Sequence, residues 1–135
     1  MHKKFLVTAS ILGAVAVVLG AFGAHGLKAI VSSDTVSVFD TGVRYQFYHV
    51  FALFVVGILY ERCPGNMIRW AGVSFIAGII LFSGSLYAIT AMKASEKVGL
   101  EGIGIVTPIG GLFFIIGWLL LAAGISKGLS TEEKR

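Results

Sequence analysis

The sequence is poor in charge and in the residues that bind metals or crosslink a fold. Only 13% of its 135 residues are charged, against about a quarter in soluble domains. By contrast, 56% are hydrophobic and the mean hydropathy is +0.89. Cys63 is the single cysteine, which excludes an internal disulfide and a cysteine-based metal cluster. This composition indicates a protein whose solvent is lipid.

Basic residues exceed acidic ones, but they do not form a nucleic-acid-binding surface. The eleven Lys and Arg residues give a net charge of +4 and are scattered among short connections between apolar runs. No basic face with interleaved aromatic residues accompanies them, so nucleic acid is not an expected partner. No HExxH motif or similar constellation is present, and we therefore predict no metal, no cofactor and no catalytic residues.

Four apolar runs predict four membrane-spanning helices. A helix needs about 20 residues to cross the hydrocarbon layer, and the run from Phe47 to Tyr60 is too short on its own. No proline precedes it back to Val36, so we expect that helix to begin near Thr35 to Ser37. The prediction is an all-α membrane protein, a four-helix bundle forming a single domain, 1–135, with spans at about 5–24, 37–60, 70–92 and 103–126. The runs are continuous rather than alternating, which argues against a β-barrel.

The basic residues predict the orientation of the bundle. A cleaved signal peptide is the alternative for the first run, but its length and the bulky Phe22 favour an uncleaved span. Seven of the eleven Lys and Arg residues would lie on the side of the termini, which predicts that both termini are cytoplasmic. Those seven are Lys3, Lys4, Arg62, Arg69, Lys127, Lys134 and Arg135, and the other four are Lys28, Arg44, Lys93 and Lys97.

Polar side chains concentrate in the outer half of the predicted bundle. If Tyr60 marks the inner boundary, the helical rise places His49 about 16 Å deep and Arg44 about 24 Å deep. The resulting candidate polar or ligand-binding cluster is Arg44, Tyr45, Gln46, Tyr48, His49, Ser83, Ser85, Tyr87 and Thr107.

The helical spacing of Arg44, Tyr45, Tyr48 and His49 gives them one face, which we expect to point into the bundle. Asp40 lies four residues before Arg44, a spacing that allows an ion pair. We expect Arg44→Ala to reduce bundle stability or activity more than the same change at Lys93 or Lys97. Three interpretations stay open: a structural hydrogen-bond network, a lipid or ligand site, and a site for protons or ions.

Small residues and one proline predict close helix packing. Ala16, Gly20 and Ala24 form a row of small residues that lets the first helix approach a neighbour. In the fourth span, Pro108 removes one helical hydrogen bond, and Gly110 and Gly111 permit a kink or an unwound turn.

Four ordered motifs carry a resemblance to a known family. They are GAFGAHGL at 20–27, TGVRYQFYH at 41–49, FSGSLY at 82–87 and TPIGG at 107–111. Over nearly its whole length the chain resembles the YgdD/YwdK-like family, a domain-of-unknown-function group of small bacterial inner-membrane proteins with eukaryotic relatives. The resemblance implies a four-helix, multi-pass protein of the bacterial inner membrane, and it implies no activity.

The sequence favours a non-enzymatic structural or accessory membrane protein. The alternative is a small transporter or a membrane protein that binds lipid or a small ligand. An enzyme using His49 with Ser83 or Ser85 lacks an orienting carboxylate at comparable depth. Membrane lipid is the expected partner, and a homo-oligomer or another membrane protein is compatible with the small-residue row.

Overall fold

A computed structural model gives the fold for residues 1–96 and 101–132, with side chains for 1–96 and 102–128. Within these ranges every regular element is helical. The elements are α1 (Lys3–Ala24), a 3-10 turn (Leu27–Ala29), α2 (Ser33–Leu59), α3 (Asn66–Gly78), a π-helical segment (Ile79–Ser83), α4 (Gly84–Ala94) and α5 (Glu101–Glu132). Four stretches are long and apolar enough to cross a membrane, at Lys3–Ala29, Ser33–Leu59, Asn66–Ala94 and Gly102–Gly128. The predicted class, an all-α protein with four spanning helices, is confirmed.

Helix α2 begins well upstream of its apolar run. The Ser32 side chain accepts a hydrogen bond from the backbone N–H of Thr35 at 3.4 Å, and Asp34 places a negative charge in the first turn. Both features stabilise a helix N-terminus, which explains the start at Ser33. The 27 residues of α2 extend about 40 Å, longer than the hydrocarbon layer of about 30 Å.

The third span is interrupted by the π-helical segment, where the helix accommodates an extra residue. The fourth span contains Pro108, yet α5 continues through it without the unwound turn that Pro108 and the two following glycines permit. The two features meet in space. A Cβ atom added to Gly110 would overlap the backbone of Phe82 in the π segment, 2.7 Å from its Cα. Gly110 therefore allows α5 to lie directly against that backbone.

The helices pack mainly in chain order. Helix α1 lies against α2, the third span contacts both α2 and α5, and the two central spans are the most buried. The half of the bundle nearest the N-terminus has an apolar core that includes the fully buried Leu53, Val56, Ile68 and Phe75. Most of the buried polar side chains, among them Gln46, Ser83 and Thr90, lie toward the opposite end of the bundle.

The interface of α1 follows a seven-residue repeat. Ala9, Ala16 and Gly23 are buried, and a Cβ at Gly20 would contact Val43 at 3.5 Å. Ala24 is exposed, so it takes no part in the contact of α1 with α2. Residues seven apart lie about 20° apart around a helix, whereas residues eight apart lie about 80° apart, which turns Ala24 out of the interface.

Contacts at the chain's start fix which connections share an end of the bundle. The N-terminal amine lies 3.2 Å from a carboxylate oxygen of Glu61, and the His2 N–H donates to the Gly57 carbonyl at 2.8 Å. The N-terminus and the α2–α3 connection therefore lie at one end, and the Leu27–Ala29 turn lies at the other. Lys97, Lys134 and Arg135, which enter the charge count, are outside the described residues.

Candidate functional site

Gln46 is the centre of the interior polar network. Its side chain is buried between three spans, where its Nε2 donates to the Leu12 carbonyl of α1 at 2.8 Å. Its Oε1 accepts a hydrogen bond from the Tyr87 hydroxyl of α4, also at 2.8 Å. One amide thus links the first three spans through its opposite ends.

Three hydroxyl groups continue the network around the π segment. Ser83 is completely buried and donates to the Gly42 carbonyl of α2 at 2.7 Å. Ser85 donates to the Phe82 carbonyl at 2.8 Å and lies 2.6 Å from the Thr107 hydroxyl of α5. The end of the π segment is therefore hydrogen-bonded to α2 through Ser83, and the residue pair Ser85 and Thr107 links the start of α4 to α5.

His49 is held on every side by aromatic rings and hydrogen bonds. Its ring is stacked on Phe114, with centroids 3.5 Å apart and planes 6° from parallel. Nε2 receives the indole N–H of Trp118 at 3.2 Å, and Nδ1 lies 2.7 Å from the Tyr45 carbonyl. Because an indole N–H can only donate, Nε2 must accept, and Nδ1 then carries the proton that is donated to the carbonyl. This arrangement fits one neutral tautomer of His49.

The network leaves no catalytic pairing among these groups. Both ring nitrogens of His49 are occupied, and Ser83 and Ser85 donate to carbonyls instead of to the imidazole. In the part of the chain with described side chains, no buried polar side-chain atom lacks a partner, and no group of three potential metal ligands occurs. His49 therefore forms no hydrogen bond with Ser83 or Ser85.

An aromatic pocket lies beside the network, between α2 and α5. Its volume is about 760 Å³, within the range typical of small-molecule sites. The side chains around it are aromatic or apolar, and none carries a formal charge when His49 is neutral. They are Tyr45, Tyr48, His49, Phe82, Pro108, Gly111, Leu112, Phe114, Ile115 and Trp118. The hydroxyls of Tyr45 and Tyr48 form no hydrogen bond to any described residue, so both can bind a ligand.

The predicted cluster is therefore divided into three locations. Gln46, His49, Ser83, Ser85, Tyr87 and Thr107 form the interior contacts described above. Tyr45 and Tyr48 are exposed at the pocket, and Arg44 is exposed on another part of α2. The expectation that Arg44 and Tyr48 face the bundle interior is wrong, because Gly42, Gln46 and His49 occupy the inward face. Tyr45 is partly exposed, and its ring lies against Phe82 of the third span with centroids 4.7 Å apart. The ion pair that the spacing of Asp40 and Arg44 allows is absent among the described residues.

Sequence reasoning missed the aromatic half of the site. Phe75, Phe114 and Trp118 appeared only as apolar residues within long spans, and their convergence on His49 depends on how the third and fourth spans pack against α2. Trp118 offered one signal, because an indole N–H inside a span needs an acceptor. Pro108 and Gly111, predicted to shape packing, also line the pocket.

The fold defines a class: a helical protein with four membrane spans and a paired polar interior. Comparison with known proteins identifies the family. The family model described as "Protein of unknown function (DUF423)" matches residues 19–111. The chain belongs to this family, which confirms the resemblance carried by its four motifs.

Curated relatives match almost end to end. The chain is 40% identical over 128 residues to the UPF0382 membrane protein YwdK of Bacillus subtilis (strain 168), covering 94% of this chain and 99% of that protein. It is 41% identical over 130 residues to a UPF0382 membrane protein of Haemophilus influenzae, covering 96% and 99%. No solved structure matches.

Proposed function

We propose that this protein is a non-enzymatic, multi-pass protein of the bacterial inner membrane that binds a neutral amphiphile in the aromatic pocket. The observation that carries the proposal is the pocket itself, a cavity of about 760 Å³ whose wall contains two unbonded tyrosine hydroxyls and no charged group. A lipid-class molecule with an apolar body and a hydrogen-bonding end matches that wall. The pocket thus favours the ligand-binding function over a purely structural one.

The rigidity of the wall supports binding. His49 is fixed by stacking and by two hydrogen bonds, so its ring is already in place before a ligand arrives. A preformed wall reduces the entropy lost on binding. The same bonds occupy the groups that a hydrolytic mechanism would use, and this supports a non-enzymatic role.

The pocket's position favours a ligand that arrives through the membrane. Tyr45 lies about 21 Å along α2 from Leu59, in the far half of the hydrocarbon layer, and His49 lies about 15 Å from Leu59, near its middle. A molecule dissolved in the bilayer can enter sideways past the exposed Tyr48, Leu112 and Ile115. Entry from water would require a polar path that the apolar lining does not provide.

The excess of basic residues at the end bearing the termini supports a cytoplasmic location for both. Fusion of a reporter to the C-terminus tests this orientation. Alkaline phosphatase should be inactive in that fusion and a fluorescent protein bright. An active phosphatase with a dark fluorescent protein would reverse the orientation without affecting the pocket.

Ligand binding is tested by native mass spectrometry of the full chain in detergent titrated with monoolein, a neutral single-chain amphiphile. Leu112→Trp fills the rim of the pocket and should weaken monoolein binding about tenfold or more. Leu119→Trp is the matched control, because Leu119 is an exposed leucine on the same helix that does not line the pocket. Equal binding by the two variants and the unmodified chain would refute the proposal.

A further inference from the structure

A second cavity lies at the end of the bundle away from the N-terminus and shares no lining residue with the aromatic pocket. Its volume is about 460 Å³, and we call it the outer groove. Its charged wall consists of Lys28, Asp40 and Arg44, and the hydroxyl groups of Ser33 and Ser37 also line it. The groove thus joins the turn after α1 to the first three turns of α2.

The two cations of the outer groove have no carboxylate partner. In the described part of the chain the one ion pair joins the N-terminal amine to Glu61, at the opposite end of the bundle. Asp40 lies one helical turn from Arg44 but is not paired with it, and one of its oxygens lies close to Gly23 of α1. The groove therefore presents two positive groups and one negative group that are all unpaired.

The depth of the groove places it where lipid headgroups meet hydrocarbon. Counted from Leu59, about 20 residues of α2 cross the hydrocarbon layer, so the boundary falls near Asp40. Ser33, Ser37 and Lys28 then lie at headgroup level, and the base of Arg44 lies about one turn inside. An arginine so placed is stabilised when its guanidinium reaches back to an anion at the interface.

The surface below the groove fits an acyl chain. Continuing along the same exposed face of α2 from Arg44 are Tyr48, Phe51, Val55 and Ile58, all large and apolar or aromatic. Their spacing of three or four residues forms one stripe along the helix. A molecule whose polar end occupies the groove can lay its hydrocarbon tail on that stripe.

We propose that the outer groove binds the headgroup of phosphatidylethanolamine, with Lys28 and Arg44 holding its phosphate and Asp40 holding its ammonium. The cavity, its three unpaired charges, its depth and the apolar stripe each match a part of that lipid. Guanidinium and ammonium groups form strong charge-assisted hydrogen bonds to phosphate. Asp40 adds the preference for ethanolamine, because a carboxylate repels a purely anionic headgroup and attracts a primary ammonium.

The test is native mass spectrometry of the purified full chain titrated with palmitoyl-oleoyl phosphatidylethanolamine. Arg44→Gln and Lys28→Gln should each weaken binding about tenfold, the effect of losing one charge-assisted contact. Lys93→Gln is the matched control, an exposed lysine in the last turn of α4 that lies outside the groove, and should bind normally. Arg44→Lys keeps the charge and should retain most of the affinity.

A separate measurement tests which headgroup the outer groove prefers. Asp40→Asn should abolish the preference for phosphatidylethanolamine over phosphatidylglycerol, which we expect in the unmodified chain. Unchanged binding in both Arg44→Gln and Lys28→Gln would overturn the proposal, and so would full displacement of the lipid by millimolar inorganic phosphate, which would indicate a soluble anion. Leu112→Trp should leave this binding intact, so the groove and the aromatic pocket can fail separately.

Discussion

The inward and outward faces of α2 both carry polar residues, but their environments differ completely. On the inward face, Gln46 and His49 have every polar side-chain atom bonded to a neighbouring helix or to their own backbone. On the outward face, Arg44 and Tyr48 have no hydrogen-bond or ion-pair partner among the described residues. Polarity within a span therefore does not by itself indicate a site. We expect the residues already bonded to stabilise the bundle and the unbonded residues to be the ones that a ligand contacts.

The largest expected effect concerns the backbone contact that positions the inward groups. Gly110→Ala should lower the free energy of unfolding by about 1–3 kcal/mol, because a Cβ there overlaps the Phe82 backbone. Gly104→Ala is the control in the same helix, where a Cβ meets nothing within 4 Å. It should be neutral or slightly stabilising, because alanine favours helix. Unfolding by SDS titration measures both, and equal effects would contradict the close contact.

The second-largest effect on stability is expected at the amide of Gln46, which links three spans. Gln46→Leu removes the hydrogen bonds to Leu12 and Tyr87 and should cost about 1–2 kcal/mol, since single hydrogen bonds inside membranes contribute about 0.6 and at most about 1.7 kcal/mol. Tyr48→Phe, on the outward face, removes an unbonded hydroxyl and should change stability by less than about 0.5 kcal/mol. If Gln46→Leu and Tyr48→Phe were equally stable, the inward and outward faces of α2 would not differ in their contribution to stability.

The indole–imidazole contact is tested by a double-mutant cycle. His49→Phe keeps a flat ring against Phe114 but removes the acceptor for Trp118, and Trp118→Phe removes the donor. The two changes should be coupled by about 1 kcal/mol in the free energy of unfolding. Simple additivity would show that the bond contributes nothing, and would leave the tautomer of His49 without support.

The sequence predicted the spans well because their signal is local. Length and hydropathy identify each crossing, and the serines before α2 indicate its start upstream of Phe47. The π segment gave no local signal, since Ile79 to Ser83 is as apolar as its surroundings. Its geometry depends on contact with Gly110 of another helix, which no single-helix pattern contains.

The depth of the polar residues in the bundle was also easier to predict than the face of the helix on which each one lies. The half of the bundle away from the N-terminus does hold the polar network, as the rise per residue indicates, and Ser85 does meet Thr107. The predicted inward face of α2 was wrong because its four residues, Arg44, Tyr45, Tyr48 and His49, span about 140° around the helix. That arc is too wide for one interface. Gln46 was included in the cluster but left out of the inward face, although its amide can bond two helices at once.

The smallest expected change in stability is that of Arg44→Ala, and it is the sharpest test of the difference between the two faces of α2. Arg44→Ala and Lys93→Ala should each change the free energy of unfolding by less than about 0.5 kcal/mol in lipid-free detergent, because both side chains are exposed and unpaired among the described residues. This replaces the expectation from sequence that Arg44 stabilises the bundle. In nanodiscs of phosphatidylethanolamine only Arg44→Ala should lower stability, since a ligand that binds the folded state adds to its stability. The free energy of unfolding of each variant is therefore compared in detergent and in nanodiscs. A loss at Arg44 in detergent as large as that of Gln46→Leu would mean that the outward face also holds the bundle together.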